Sequence, residues 1–231
     1  MGIDLGGTSG ESAFVFGVTS GYVSSALTFQ NSADRTSYDV VNGGVYASFV
    51  SGTVFANALA KYDHYWIDSR SPVANFSSRY HGESYGAQGE LGVRFGSDTF
   101  YAEPLVSGSY VRTDLNSPVA NNASIDFDKL DGVRGKVGLR IGSAFDMGTS
   151  RAVVYLSGNA VHEFKGRDGL SFTSDSTTFN YRNDRIGTYG EGKLGINIVS
   201  ASGVTGFVEG FGNYGDDYKG GGARAGLRIK L

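Results

Sequence analysis

The feature that most constrains this chain is a strict two-residue alternation of apolar and charged side chains. In 90–95 (ELGVRF), Leu91, Val93 and Phe95 share one face, while Glu90, Gly92 and Arg94 share the other. In 133–141 (VRGKVGLRI), Val133, Val137, Leu139 and Ile141 oppose Arg134, Lys136 and Arg140. Leu194, Ile196 and Ile198 oppose Lys193 and Asn197 in 193–198. At the end, Ala223, Ala225, Leu227, Ile229 and Leu231 oppose Arg224, Arg228 and Lys230. Successive residues of a strand point to opposite sides, so such segments are strands with one apolar and one charged face. In a soluble sandwich the apolar face is core. In a membrane barrel it meets lipid, and the charges line a wet lumen. Periodicity alone does not separate the two.

Segment length and turn asymmetry favour the barrel. Tyr38 to Ser51 runs into a short turn at 51–52, and Thr53 to Asp68 leads to a polar loop, 69–78. Tyr80 to Phe95 turns at 96–98, and Thr99 to Asp114 leads to the loop 115–128. Lys129 to Ile141, a turn at 142–150, and Arg151 to Phe164 repeat the unit before the loop 165–183. Arg185 to Val199, a turn at 200–203, and Val204 to Tyr214 repeat it again, and Gly220 to Leu231 closes the chain. Strands of roughly ten or more residues, with short turns at one end and long loops at the other, are the pattern of an outer-membrane barrel. Sandwich strands are usually nearer about five or six. The short turns are expected to face the periplasm and the long loops the cell exterior.

Composition agrees. The chain is 40% hydrophobic, with 36 Gly, 14 Tyr, 15 Phe and only 3 Pro. No stretch approaches the roughly 20 apolar residues of a spanning helix, but a barrel hides its lipid face in alternation. The absence of Cys excludes disulfides, thiolate metal sites and cysteine catalysis. A net charge of −3 carries no basic excess for nucleic acid. The start, MGIDLGGTSGES, has neither a basic run nor an apolar one, so for an exported protein the leader is expected to lie outside this sequence. About ten full alternating stretches follow Ser12, with a short one at Met1–Leu5. Bacterial single-chain barrels have even strand numbers, so an odd total predicts a mis-split segment or a strand before Met1.

Certain residues carry a family resemblance. The run 130–142 (LDGVRGKVGLRIG), Ala160-Val161-His162-Glu163-Phe164, 103–110 (EPLVSGSY) and the close 213–231 (NYGDDYKGGGARAGLRIKL) resemble the autotransporter β-domain. The resemblance implies an all-β fold: a transmembrane antiparallel up-and-down barrel of about twelve strands, about eleven of them within 1–231, with the pore helix and first strand upstream. It implies an outer-membrane translocator that anchors and helps export an N-terminal passenger (type V secretion), with a self-contained pore or adhesin barrel as the alternative. The expected partners are outer-membrane lipid, the barrel-assembly machinery and the protein's own passenger or linker helix. Ala223, Ala225, Leu227, Ile229 and Leu231 would serve as the C-terminal insertion signal. Family members usually end on Phe or Trp, whereas this chain ends on Leu231.

Alternation assigns Glu90, Arg94, Arg134, Lys136, Arg140, Glu191, Lys193, Arg224, Arg228 and Lys230 to the lumen, and leaves Glu103 and Glu209 ambiguous. On the lipid face, a basic residue costs about 2–4 kcal/mol at the midplane. The functional reading is a hydrated conduit. The structural one is an ion-pair brace, and the two are compatible. His64, His81 and His162 lack metal-ligand spacing, and Asp63 and Asp68 near His64 are too common a match to indicate a catalytic triad. No enzyme, cofactor or metal is expected. The Gly-rich run Lys219–Ala223 lacks the strand-before, helix-after context of a phosphate loop.

Overall fold

The computed structural model describes residues 1–28, 32–72, 76–97, 99–120, 123–166, 168–174, 177–216 and 218–229. Its elements are all strands: β1 (Gly2–Ser9), β2 (Ser12–Thr28), β3 (Arg35–Ser51), β4 (Val54–Ser71), β5 (Phe76–Val93), β6 (Phe95–Gly96), β7 (Phe100–Leu115), β8 (Val119–Ala120), β9 (Ala123–Phe127), β10 (Leu130–Met147), β11 (Ser150–Lys165), β12 (Asp168–Ser174), β13 (Thr177–Asn183), β14 (Thr188–Ser200), β15 (Val204–Tyr214) and β16 (Lys219–Ile229). A curled sheet runs β1-β2-β3-β4-β5-β7-β10-β11-β14-β15-β16, with β6 paired to β7. Every neighbouring pair is antiparallel, and strands of the wall follow chain order.

Several expected boundaries move. The alternation of β10 continues past Ile141 to Met147, so the turn expected over 142–150 shrinks to the residues around Gly148. Small residues at Gly142, Ser143 and Ala144 hide the two-residue period of the segment GSAFDM. The loop expected over 69–78 is shorter, since β4 reaches Ser71 and β5 starts at Phe76. The regions 115–128 and 165–183 are not plain loops. They contribute β8, β9, β12 and β13 to a second sheet, in the order β13-β12-β9-β8. Tyr80 of β5 stacks on Phe127 of β9 at 5.8 Å between ring centres, tying this sheet to the wall. At the opposite end the hairpins are tight. Gly52 and Gly148 hold φ of 54° and 63°, the left-handed region that two-residue turns demand and glycine adopts without strain.

The two faces of the wall are reversed relative to a soluble protein. Glu103, Glu163 and Glu209 are 1%, 3% and 5% exposed. Val137 and Leu194, on the apolar face, are both 59% exposed. No second layer covers that face among the described residues, so a sandwich core is excluded. Three tyrosines pack the enclosed face against glycines on adjacent strands. The rings of Tyr46, Tyr101 and Tyr155 occupy the space a Cβ would take at Gly17, Gly142 and Gly195. Among the described residues, no ladder joins β1 to β16.

Candidate functional site: the enclosed charged face

Register places the charged side chains in one connected file. Arg140 of β10 lies opposite Glu103 of β7, and cross-strand partners share a face. Glu103 therefore belongs with the charges, which settles its ambiguous parity. It accepts from Arg94 Nε at 2.6 Å and from Arg140 Nη1 at 2.9 Å. Arg94 also stacks over the Tyr101 ring, 4.3 Å from its centre. Arg140 reaches Glu90 at 3.5 Å, and Lys136 lies between Glu90 at 3.6 Å and Glu191 at 3.9 Å. Glu191 also meets Lys193 at 3.1 Å and accepts from Asn159 Nδ2 at 3.1 Å.

Two further pairs extend the file. Arg134 donates to Glu163 at 2.9 Å, and Arg224 donates to Glu209 at 2.8 Å. Glu209 lies opposite Arg224, so its parity is settled too. Arg228 of β16 meets Asp4 of β1, and Asp4 also accepts from the Tyr46 hydroxyl at 2.6 Å. The charged face thus continues across the unpaired edges.

All the charges that alternation assigned to this side stand there, except Lys230, which lies outside the described residues, as does Leu231. Ala223, Ala225, Leu227 and Ile229 are exposed on the other face. Sequence reading missed Asp4, Asn159 and Glu163. The two-residue spacing of Asn159, Val161 and Glu163 was the available signal, since all three are buried on one side. The three histidines lie on β4, β5 and β11. Asp63 pairs with Lys61 at 2.6 Å, and Asp68 is held by Arg70 and Arg79, both at 2.9 Å. His64 stacks near His81 with ring centres 5.9 Å apart, and His162 hydrogen-bonds Thr188 at 2.7 Å. Among the described residues, no cluster of His, Asp and Glu has the arrangement of a metal site.

An apolar exterior around a paired, charged interior, built from long antiparallel strands in chain order, defines a transmembrane β-barrel wall. The autotransporter β-domain family model matches residues 1–211, and the chain belongs to that family. It is a translocator barrel of the Gram-negative outer membrane, the module through which an autotransporter exports its passenger. Solved relatives share the fold. The β-domain of the Bordetella autotransporter BrkA superposes with a TM-score of 0.78 at 19% identity, covering 100% of this chain and 88% of that one. The transport unit of the autotransporter AIDA-I from Escherichia coli gives 0.80 at 17% identity, with 100% and 80% covered. The translocator domain of the autotransporter NalP from Neisseria meningitidis gives 0.63 at 16% identity, with 98% and 77% covered. No curated protein matches the sequence.

Proposed function

We propose that the ion-paired face lines a hydrated lumen along which the passenger crosses, and in which its linker helix then rests. The observation that carries this is the reversal of faces: Glu103 is sealed by Arg94 and Arg140 while Val137, one strand away, is bare. We place a further strand, and the pore helix before it, N-terminal to β1. Open edges do not persist in hydrocarbon, and eleven strands in the wall fit the even numbers of bacterial barrels only with one more. The outward residues Ala223, Ala225, Leu227 and Ile229 of β16 face lipid, and their alternation is what the barrel-assembly machinery reads. The barrel acts by anchoring and transport, without catalysis.

The test is expression of the barrel with its upstream coding segment in a Gram-negative host. Protease added to intact cells is expected to cut the passenger, and deletion of β16 to abolish its display. A correctly inserted barrel whose passenger stays in the periplasm would overturn the reading.

A further inference from the structure

We infer that the tips of β3, β4 and β5 carry, on their outer face, a binding site for the phosphate groups of an outer-leaflet lipid. The inference rests on the placement of this barrel in the outer membrane with its long loops outside.

Three arginines converge there. Arg35 of β3 and Arg70 of β4 are direct cross-strand partners, so their side chains share one face. Asp68, two residues before Arg70, is the partner of Arg79 of β5. Asp68 takes the guanidinium groups of both Arg70 and Arg79 at 2.9 Å. Among the described residues no carboxylate pairs with Arg35. Asp68 answers two of the three guanidiniums, and Asp34, next to Arg35 in sequence and hydrogen-bonded to Ser71, is the other acid at this end, which leaves a local charge of about +1. Like charges directly opposite one another on a sheet are destabilising, unless an anion sits between them. A cleft of about 250 Å³ opens between Arg35, Ser37, Asp68 and Arg70. Arginine forks bind phosphate oxygens in pairs, with more geometric specificity than a point charge.

Height on the wall selects the source of the phosphate. On the outward face of β4, Val54, Ala56, Ala58 and Ala60 give way to Tyr62, His64 and Trp66, then Asp68 and Arg70. At about 3.3 Å per residue and a tilt near 40°, Val54 to His64 spans about 25 Å of membrane normal, the height of an apolar band. Trp66, half-exposed beside exposed Tyr22, Tyr62 and Tyr85, marks the interfacial aromatic belt. Arg70 then lies about 10 Å beyond Trp66. The headgroup layer is about 5–8 Å thick on each side, so the guanidiniums reach its phosphates by turning back down the wall along their apolar stems. The nearest outward acids below, Asp39 and Glu83, do not reach the cluster: Asp39 is engaged by the Tyr22 hydroxyl at 2.6 Å, and Glu83 faces His64 at 3.7 Å.

Trp66 is the single tryptophan of the chain, and it sits immediately below the cluster, so its emission reports occupancy. The full chain is inserted into phosphatidylcholine vesicles carrying increasing proportions of lipid A, a bis-phosphorylated lipid. The expected result is a saturable change in Trp66 emission, shifted to lipid A contents higher by on the order of tenfold in the triple variant Arg35→Gln/Arg70→Gln/Arg79→Gln. Lys129→Gln, at the mouth and paired with Asp114, should respond as the unaltered chain does. Folding of each variant is read by heat-modifiable gel migration. An identical response of the triple variant and the unaltered chain overturns the site. So does a full response to inorganic phosphate in plain vesicles, which would make the ligand a free anion. Failure of the unaltered chain to insert even when the strand proposed before β1 is supplied overturns the membrane placement, and this proposal with it.

Discussion

Replacing Glu103 by Gln tests the brace on the enclosed face. The substitution keeps the shape and removes the charge that two guanidiniums share. A hydrogen bond to a charged partner contributes about 1.5–3 kcal/mol. The Arg94 half is worth less, because its side chain is 57% exposed and pairs in contact with water are worth about 0.2–1 kcal/mol. Arg140 is better shielded, yet it keeps Glu90 at 3.5 Å and is not left without a counter-charge. The full cost of stranding a buried charge, about 3–5 kcal/mol, therefore does not apply. The sum is about 2–3 kcal/mol of lost stability, with Arg94→Gln costing about 1 kcal/mol or less. Urea unfolding in phospholipid vesicles, followed through the emission of the single tryptophan, measures both. A double-mutant cycle between Glu103→Gln and Arg140→Gln should show coupling of about 1–2 kcal/mol. A Glu103→Gln barrel within about 0.5 kcal/mol of the parent, or no less stable than Arg94→Gln, would refute the reasoning.

Three further outcomes are expected. Gly142→Ala should cost about 1–3 kcal/mol in the same unfolding assay, because its methyl would overlap the Tyr101 ring, and adding Tyr101→Ala should remove most of the steric part. Ala225→Arg puts a cation near the middle of the outer face and should cost about 2–4 kcal/mol, seen as loss of the heat-modifiable band, whereas neighbouring Arg224→Gln loses only a half-exposed pair and should still fold. Cysteine at Lys136 should react with a hydrophilic thiol reagent and cysteine at Val137 only with a lipid-soluble one; protection of position 137 from both, in a folded sample, would exclude a lipid-facing side there.

Much of this architecture is legible in the sequence because a two-residue period survives wherever one face is uniformly apolar. Arg134, Lys136 and Arg140 sit between Val, Leu and Ile, and this spacing alone fixes their side. The period fails where small residues blur it, as in Gly142–Ala144. It also fails for an isolated acid such as Glu103, whose face is fixed by the strand opposite and not by its own neighbours. The β9–β12 pairing joins segments more than forty residues apart, and the two-residue alternations Ile125/Phe127 and Leu170/Phe172 are too short to stand out from the polar stretches around them. The rim arginines were invisible for the same reason. Arg35 and Arg70 become neighbours only once the register of β3 on β4 is known.

The pairing within the charged file bears on the kind of cargo such a wall can pass. Each guanidinium and ammonium in it already has a carboxylate within reach, and each of those carboxylates is similarly answered. On the passage proposed above, a segment sliding past would meet few unsatisfied charges to seize, and the electrostatic landscape along its path would be shallow whatever its own sequence. Stripping one partner from the file would create a sticky point without narrowing the bore, and segments of opposite charge would dwell there. Indifference to sequence, on this view, comes from a wall whose charges are spent on one another.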